Sequence, residues 1–100
     1  MALIGTLAMS VPGTAQNYGN ASRGGGIAMR VCLACHGVRA QEVSVNPKAP
    51  TFDLIATEMG VSETALSVAL RTTHRDMPNI MLEDQERADI IAYIMSLRNK

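Results

Sequence analysis

The segment "VCLACHGV", residues 31–38, constrains this chain more than any other feature. It places Cys32 and Cys35 three positions apart and His36 directly after the second cysteine. On a helix these side chains would project from one side, because residues three and four apart are neighbours on a helix surface. The spacing permits covalent attachment of a haem through both thiols, half of a zinc site, or a redox-active pair of thiols.

The composition supplies few large side chains for a core. In 100 residues, which we interpret as one small domain, the aromatic residues are Tyr18, Phe52 and Tyr93, and there is no Trp. Small domains often depend on disulfides, a metal or a cofactor for stability. We therefore expect a bound group at Cys32 and Cys35 to supply part of the core.

The balance of charges argues against polyanionic partners such as nucleic acid or anionic lipid. Nine Lys and Arg residues offset nine Asp and Glu residues, so the formal net charge is zero. Electrostatic binding to nucleic acid or to anionic lipid normally requires an excess of basic residues. We therefore expect neither nucleic acid nor a charged membrane surface as the primary partner.

The N-terminal residues resemble a processed leader. Residues 2–11 are small and apolar, and Pro12, Gly13 and Ala15 follow them, a pattern typical of a secretory segment and its cleavage site. We predict a signal segment over residues 1–15, a flexible Gly- and Asn-rich leader over 16–24, and the folded domain over 25–100. An uncleaved membrane anchor is the weaker alternative, because the apolar run is shorter than the roughly 20 residues that a span requires.

The rest of the chain predicts an all-α fold without strands or internal repeats. Apolar residues recur at helical spacing in four segments, which are the predicted helices: residues 27–35, 51–59, 62–71 and 83–97. Thr51 and Ser62 are the predicted N-caps of the second and third helices. The last helix is apolar around most of its circumference, with a narrow polar stripe near Asp89 and Ser96. Two long loops, 38–50 and 72–82, separate these elements.

The rest of the sequence favours haem attachment at this motif over a zinc site or a redox-active dithiol. A structural zinc site needs four ligands, and beyond the motif the sequence offers only His74 and carboxylates. A redox dithiol of the thioredoxin type follows a strand, and no strand pattern precedes Cys32; a plain disulfide is a further alternative. In haem attachment the thiols add across two vinyl groups while the imidazole of His36 reaches the iron, which uses all three side chains.

An electron-transferring haem needs a second axial ligand, and a thioether is a suitable one. Among the seven methionines we predict Met77, because Pro78 restricts its backbone and can present the sulphur rigidly. Met81 and His74 are the alternatives. A haem sensor or enzyme would instead keep the iron site open, with Met77 absent or labile.

The order of attachment motif, loop, Met-Pro pair and apolar C-terminal helix resembles the class I cytochromes c. The resemblance covers most of residues 24–97, and "GGGIAMRVCLACHGV" and "DIIAYIMSLR" are similar to the two terminal helices of that family. It implies that these helices cross at Gly24 and Ala28, with Tyr93 as the packing aromatic. In "KAPTF" it implies that the carbonyl of Pro50 accepts the proton of the proximal imidazole.

The resemblance also implies the remaining expectations. The fold would be about four short helices around one covalently bound haem c, attached to Cys32 and Cys35 and ligated by His36 and Met77. The protein would be a monomeric, periplasmic single-electron carrier with redox protein partners, rather than an enzyme. A dedicated cytochrome subunit of a periplasmic dehydrogenase or oxidase is the alternative. Candidate partners of the haem propionates are three basic residues: Arg39, Lys48 and Arg75.

Overall fold

The computed structural model describes residues 19–72, 77–78 and 80–99. Within these ranges the elements are α1 (Ala21–Val31), α2 (Phe52–Thr57), α3 (Glu63–Ala69), α4 (Asp84–Ser96) and a 3₁₀ turn (Leu97–Asn99). The all-α class predicted from the sequence is therefore confirmed. None of the helices in the described ranges has the length and hydropathy needed to cross a bilayer. The predicted signal segment 1–15 lies outside the described residues, as do His74 and Arg75.

The first helix begins earlier than the sequence predicts. Asn20 caps α1 by accepting a hydrogen bond from the backbone N–H of Arg23 at 2.9 Å. Asp89 of α4 in turn accepts the backbone N–H of Asn20 at 2.8 Å and the side chain of Arg23 at 3.0 Å. The helix α1 thus begins at Ala21, within the segment 16–24 for which the sequence predicts a flexible leader, while the domain bounds stay a prediction. A Gly-rich stretch can form a helix here because α4 supplies the polar partners.

The helices α1 and α4 cross in direct backbone contact. A Cβ atom added to Gly24 would lie closer than 3.0 Å to the backbone of Asp89, so only glycine permits this approach. Ala28 of α1 and Ile90 of α4 are fully buried. Asp89 itself is only 2% exposed, so the polar stripe predicted near this residue is wrong: the carboxylate faces α1 rather than solvent.

Two local hydrogen bonds start the short helices α2 and α3. Thr51 Oγ1 accepts the backbone N–H of Leu54, and Ser62 Oγ accepts that of Ala65, both at 3.0 Å. Gly60, with a φ of 62°, provides the left-handed turn between the two helices. Both caps stand at the residues that the sequence predicts.

The ends of α4 are fixed by charged side chains. The Glu86 carboxylate accepts the backbone N–H of the N-cap residue Glu83 at 2.9 Å, which is one of the two bonds of a capping box. Beyond the C-terminal end, Arg98 donates to the carbonyl oxygens of Ala56 at 2.7 Å and Val61 at 2.6 Å. Arg98 therefore ties the connection between α2 and α3 to the end of α4.

Candidate cofactor site

A cavity of about 320 Å³ lies between the end of α1, the loop that follows it, α2, α3 and α4. Its volume falls in the range of about 300–1,000 Å³ that small-molecule and cofactor sites occupy. The walls are mostly aliphatic, and Lys48 is the charged side chain among the described residues that line them. All five predicted site residues line this cavity: Cys32, Cys35, His36, Pro50 and Met77.

The cysteine motif forms a tight turn rather than the helix predicted through Cys35. The helix α1 ends at Val31, and the carbonyl oxygen of Cys32 then accepts the backbone N–H of both Cys35 at 3.1 Å and His36 at 2.9 Å. The carbonyl of Cys35 is taken by the N–H of Asn46 at 3.0 Å, so the loop competes with any further helical bonding. The turn still brings the three side chains to one cavity.

His36 is fixed in one orientation. Its ring atom Nδ1 lies 2.6 Å from the carbonyl oxygen of Pro50. A carbonyl oxygen can only accept, so Nδ1 carries the proton and Nε2 is left with the lone pair that binds a metal. The ring of Phe52 packs beside the imidazole, with centroids 5.6 Å apart and planes tilted by 52°. The contact between His36 and Pro50 is thus observed, while its part in cofactor binding stays a prediction.

The loop that follows His36 is closed by a carboxylate. Glu42 accepts the backbone N–H of Val38 at 3.0 Å and that of Arg39 at 2.9 Å. These hydrogen bonds, from Arg39 first and Val38 second, lower the pKa of Glu42. Arg39 also forms an ion pair with Glu42 at 3.4 Å and does not line the cavity. Of the three predicted propionate partners, the described residues therefore bring only Lys48 to the cavity.

The structure separates the candidate methionines. Met77 lines the cavity together with Pro78, whereas Met81 is 85% exposed and does not. Met59 also lines the cavity, although it is 54% exposed and is not among the ligands that the sequence predicts. Its helical spacing from Phe52 and Ile55, which line the same wall, is the signal that could have identified it.

The Cys32 thiol does not have the lowered pKa of a reactive cysteine. Cys32 and Cys35 are free rather than joined in a disulfide. Burial raises the pKa of the Cys32 thiol to about 11, whereas reactive or metal-binding cysteines need a lowered pKa. In addition, the described part of the chain contains no group of three or more His, Cys, Asp and Glu side chains that could hold a metal ion. The redox-dithiol and zinc interpretations therefore gain no support.

A tyrosine from α4 completes the wall behind His36. The hydroxyl of Tyr93 donates to the carbonyl oxygen of Val38 at 2.8 Å, and its ring packs against Phe52 with centroids 6.3 Å apart. Burial, and then the negative charges of Asp53 and Glu42, raise the pKa of Tyr93, so its hydroxyl remains a donor at neutral pH. Sequence reasoning assigned Tyr93 to helix packing and missed this hydrogen bond.

The donor set fits a covalently bound haem. Two thiols, an imidazole with a free Nε2 and a thioether line one apolar cavity, and these are the groups that attach and ligate a haem c. Cys32 and Cys35 would hold it covalently, and His36 would bind its iron.

Comparison with known families agrees with this donor set. The family model for cytochrome c matches residues 21–98, which is most of the chain. Searches of the curated proteins and of the solved structures gave no significant match. The chain belongs to the cytochrome c family.

Proposed function

We propose that this protein is a single-electron carrier with one haem c, attached to Cys32 and Cys35 and ligated by His36 and Met77. Its family supports haem-based electron transfer. The observation that carries the finer proposal is that one apolar cavity is lined by both thiols, the imidazole and the Met77 thioether. When bound, the haem supplies a one-electron couple between ferrous and ferric iron.

On the proximal side, the chain fixes the imidazole before any ligand is bound. Pro50 holds the Nδ1 proton of His36, which directs Nε2 toward the cavity and raises the basicity of the ring. Phe52 packs against the same ring and limits its rotation. This arrangement supports an axial ligand that keeps its position in both oxidation states.

On the other axial side, we propose the Met77 sulphur. Pro78 fixes the backbone next to it, and Met77 is half-buried against the cavity. With both His36 and Met77 as ligands, the iron of a bound haem would have no position free for a substrate, which supports an electron carrier rather than an enzyme. The mostly aliphatic walls would limit the access of water to a bound haem.

We further propose that the protein is exported to the periplasm and exchanges electrons there with redox protein partners, as a monomer. The apolar segment 2–11 and the small residues up to Ala15 support export. The zero formal net charge supports docking by local contacts rather than by long-range steering.

Covalent attachment is tested by a pyridine haemochrome assay on the band isolated by denaturing electrophoresis. We expect one haem per chain, loss of the haem from the band in Cys32→Ser/Cys35→Ser, and thiols in the mature protein that resist alkylation. A colourless band from the unsubstituted protein, or ready alkylation of both cysteines, would contradict the proposal.

The axial ligand is tested by the far-red sulphur-to-iron charge-transfer band of the ferric protein. We expect Met77→Ala to abolish this band, since the substitution removes the thioether. Met59→Ala is the matched control because Met59 lines the same cavity, and we expect it to retain the band. Retention in Met77→Ala with loss in Met59→Ala would assign the ligand to Met59 instead.

A further inference from the structure

Residues 36–38, which carry the proximal imidazole, are held by the loop on one side. His36 is bonded to the Pro50 carbonyl at 2.6 Å, and the backbone N–H of Phe52 donates to the carbonyl of Gly37 at 2.8 Å. Both contacts come from a segment about 14 residues away in sequence. Since Phe52 is the first residue of α2, these contacts join residues 36–38 to the start of α2 but not to α4.

The connection of these residues to α4 is made by Tyr93. Its hydroxyl donates to the Val38 carbonyl at 2.8 Å across 55 residues of sequence. Val38 is 0% exposed, so water cannot easily replace the hydroxyl as a partner of this carbonyl. On the opposite side, Gly25 of α1 leaves room for the Tyr93 ring, since a Cβ there would lie 3.1 Å from two ring carbons.

A second route from Tyr93 to the imidazole runs through aromatic rings. The rings of Tyr93 and Phe52 are tilted by 55° with centroids 6.3 Å apart, and Phe52 meets the His36 ring at 5.6 Å. Tilted aromatic pairs at these distances attract each other and prefer defined geometries. Movement of Tyr93 would therefore reach His36 through Phe52 as well as through Val38.

We propose that Tyr93 is a positioning residue for His36, acting through the Val38 carbonyl and the Phe52 ring, and that it thereby sets the reduction potential of the bound haem. This inference rests on the proposed function. Tyr93 does not contact the ligand site directly. Its effect is on the hydrogen bond between His36 and Pro50, because that bond governs how strongly the imidazole donates electrons.

The direction of the effect follows from this hydrogen bond. A strong bond at Nδ1 makes the imidazole a better donor and favours ferric iron. Tyr93→Phe keeps the ring but leaves the buried Val38 carbonyl without its partner, so residues 36–38 loosen and the bond from His36 to Pro50 weakens. The reduction potential should then rise.

The test compares the haem-loaded protein with its Tyr93→Phe variant. We expect an upward shift of the reduction potential and faster deuterium exchange of the His36 ring N–H, roughly tenfold, which corresponds to the net contribution of about one hydrogen bond. Phe52→Leu removes the ring contacts to both Tyr93 and His36 but keeps the hydrogen bond from Tyr93 to Val38, so it should shift the potential upward by less. An unchanged potential in Tyr93→Phe would overturn the inference, and an unchanged potential in Phe52→Leu would overturn the ring route.

The matched control is Arg23→Ala, which also removes a polar contact to α4 but acts at Asp89 rather than at residues 36–38. We expect it to leave the potential and the ring exchange unchanged. Equal shifts in Arg23→Ala and Tyr93→Phe would overturn the inference, since general loosening of α4 would then be the cause. Absence of haem in the unsubstituted protein would mark failure of the proposed function instead, and the haemochrome assay detects that separately.

Discussion

The two sides of α4 are built in different ways. One side crosses α1 at Gly24 with no space for even a Cβ, and Asp89 and Arg23 form an ion pair at its edge. The other side, represented by Ile94, faces the cavity that α2 and α3 enclose. The first contact is complete with the atoms of the chain alone. The second encloses the cavity proposed to hold the haem, so the stability of the two halves should depend on haem to different degrees.

Removal of the haem should produce the largest difference between the two sides of α4. In a Cys32→Ser/Cys35→Ser chain without haem, we expect amide exchange in α2 and α3 to accelerate by roughly 100-fold, the loss that accompanies removal of a tightly bound ligand. The amides of α1 and α4 should keep more of their protection because their contact does not include the cavity. Hydrogen exchange measured by NMR checks this, and equal acceleration in all four helices would contradict it.

The next largest effect is expected at the crossing itself. Gly24→Ala should lower the free energy of unfolding by about 3 kcal/mol, because the new methyl group overlaps the Asp89 backbone. The matched control is Gly26→Ala, on the exposed face of the same helix, where the nearest atom to a new Cβ is Arg30 Nη1 at 3.9 Å.

Gly26→Ala should raise the free energy of unfolding by about 0.5–1 kcal/mol, because alanine loses less backbone freedom on folding than glycine. Denaturant unfolding of the haem-loaded proteins measures both changes. Similar free energies of unfolding for Gly24→Ala and Gly26→Ala would show that the close backbone contact with α1 does not stabilise this side of α4.

A smaller loss of stability is expected when the hydrogen bonds of Asp89, at the edge of the crossing between α1 and α4, are weakened. Asp89→Asn should lower the free energy of unfolding by about 2 kcal/mol, since it weakens hydrogen bonds from Arg23, Asn20 and Gln85 to a buried carboxylate. The control is Asp84→Asn on the same helix, where the carboxylate is 94% exposed and the expected change is below about 1 kcal/mol.

The contribution of Asp89 should also depend on pH. Burial acts to raise the pKa of Asp89, but the hydrogen bonds from Arg23, Asn20 and Gln85 outweigh it, and the net pKa is lowered. A lowered pKa in the folded state stabilises the protein above the ordinary carboxyl pKa of about 3.9, and this stabilisation is lost as the pH falls through the folded value. The difference between the unsubstituted protein and Asp89→Asn should therefore shrink on acidification, and a difference that grows would contradict the assignment.

The parts of the fold that depend on neighbouring residues could be predicted from the sequence. The caps at Thr51 and Ser62 bond to N–H groups three positions later, so the local pattern was sufficient. The start of α1 could not be predicted, because Asn20 and Arg23 depend on Asp89, 69 and 66 residues away. Composition indicated a flexible leader, and tertiary contact overrode it.

In the candidate site, too, the sequence predicted the features that depend on neighbouring residues and missed the one that depends on distant residues. The cysteine motif identified Cys32, Cys35 and His36 directly, and the restricted backbone before Pro78 indicated Met77. Pro50 followed from the family resemblance rather than from any pattern in its own segment. The bond between Tyr93 and Val38 left no local signal, since its two residues are 55 positions apart.

The same bond has a consequence for the order of assembly. Contacts between distant parts of a chain form after local ones, because closing a long loop costs more entropy. The turn at Cys32 and the caps of α2 and α3 can therefore form before Tyr93 donates its hydrogen bond to the carbonyl of Val38. We therefore expect the bond from Tyr93 to form late in folding, after the turn that presents the two thiols for the proposed attachment.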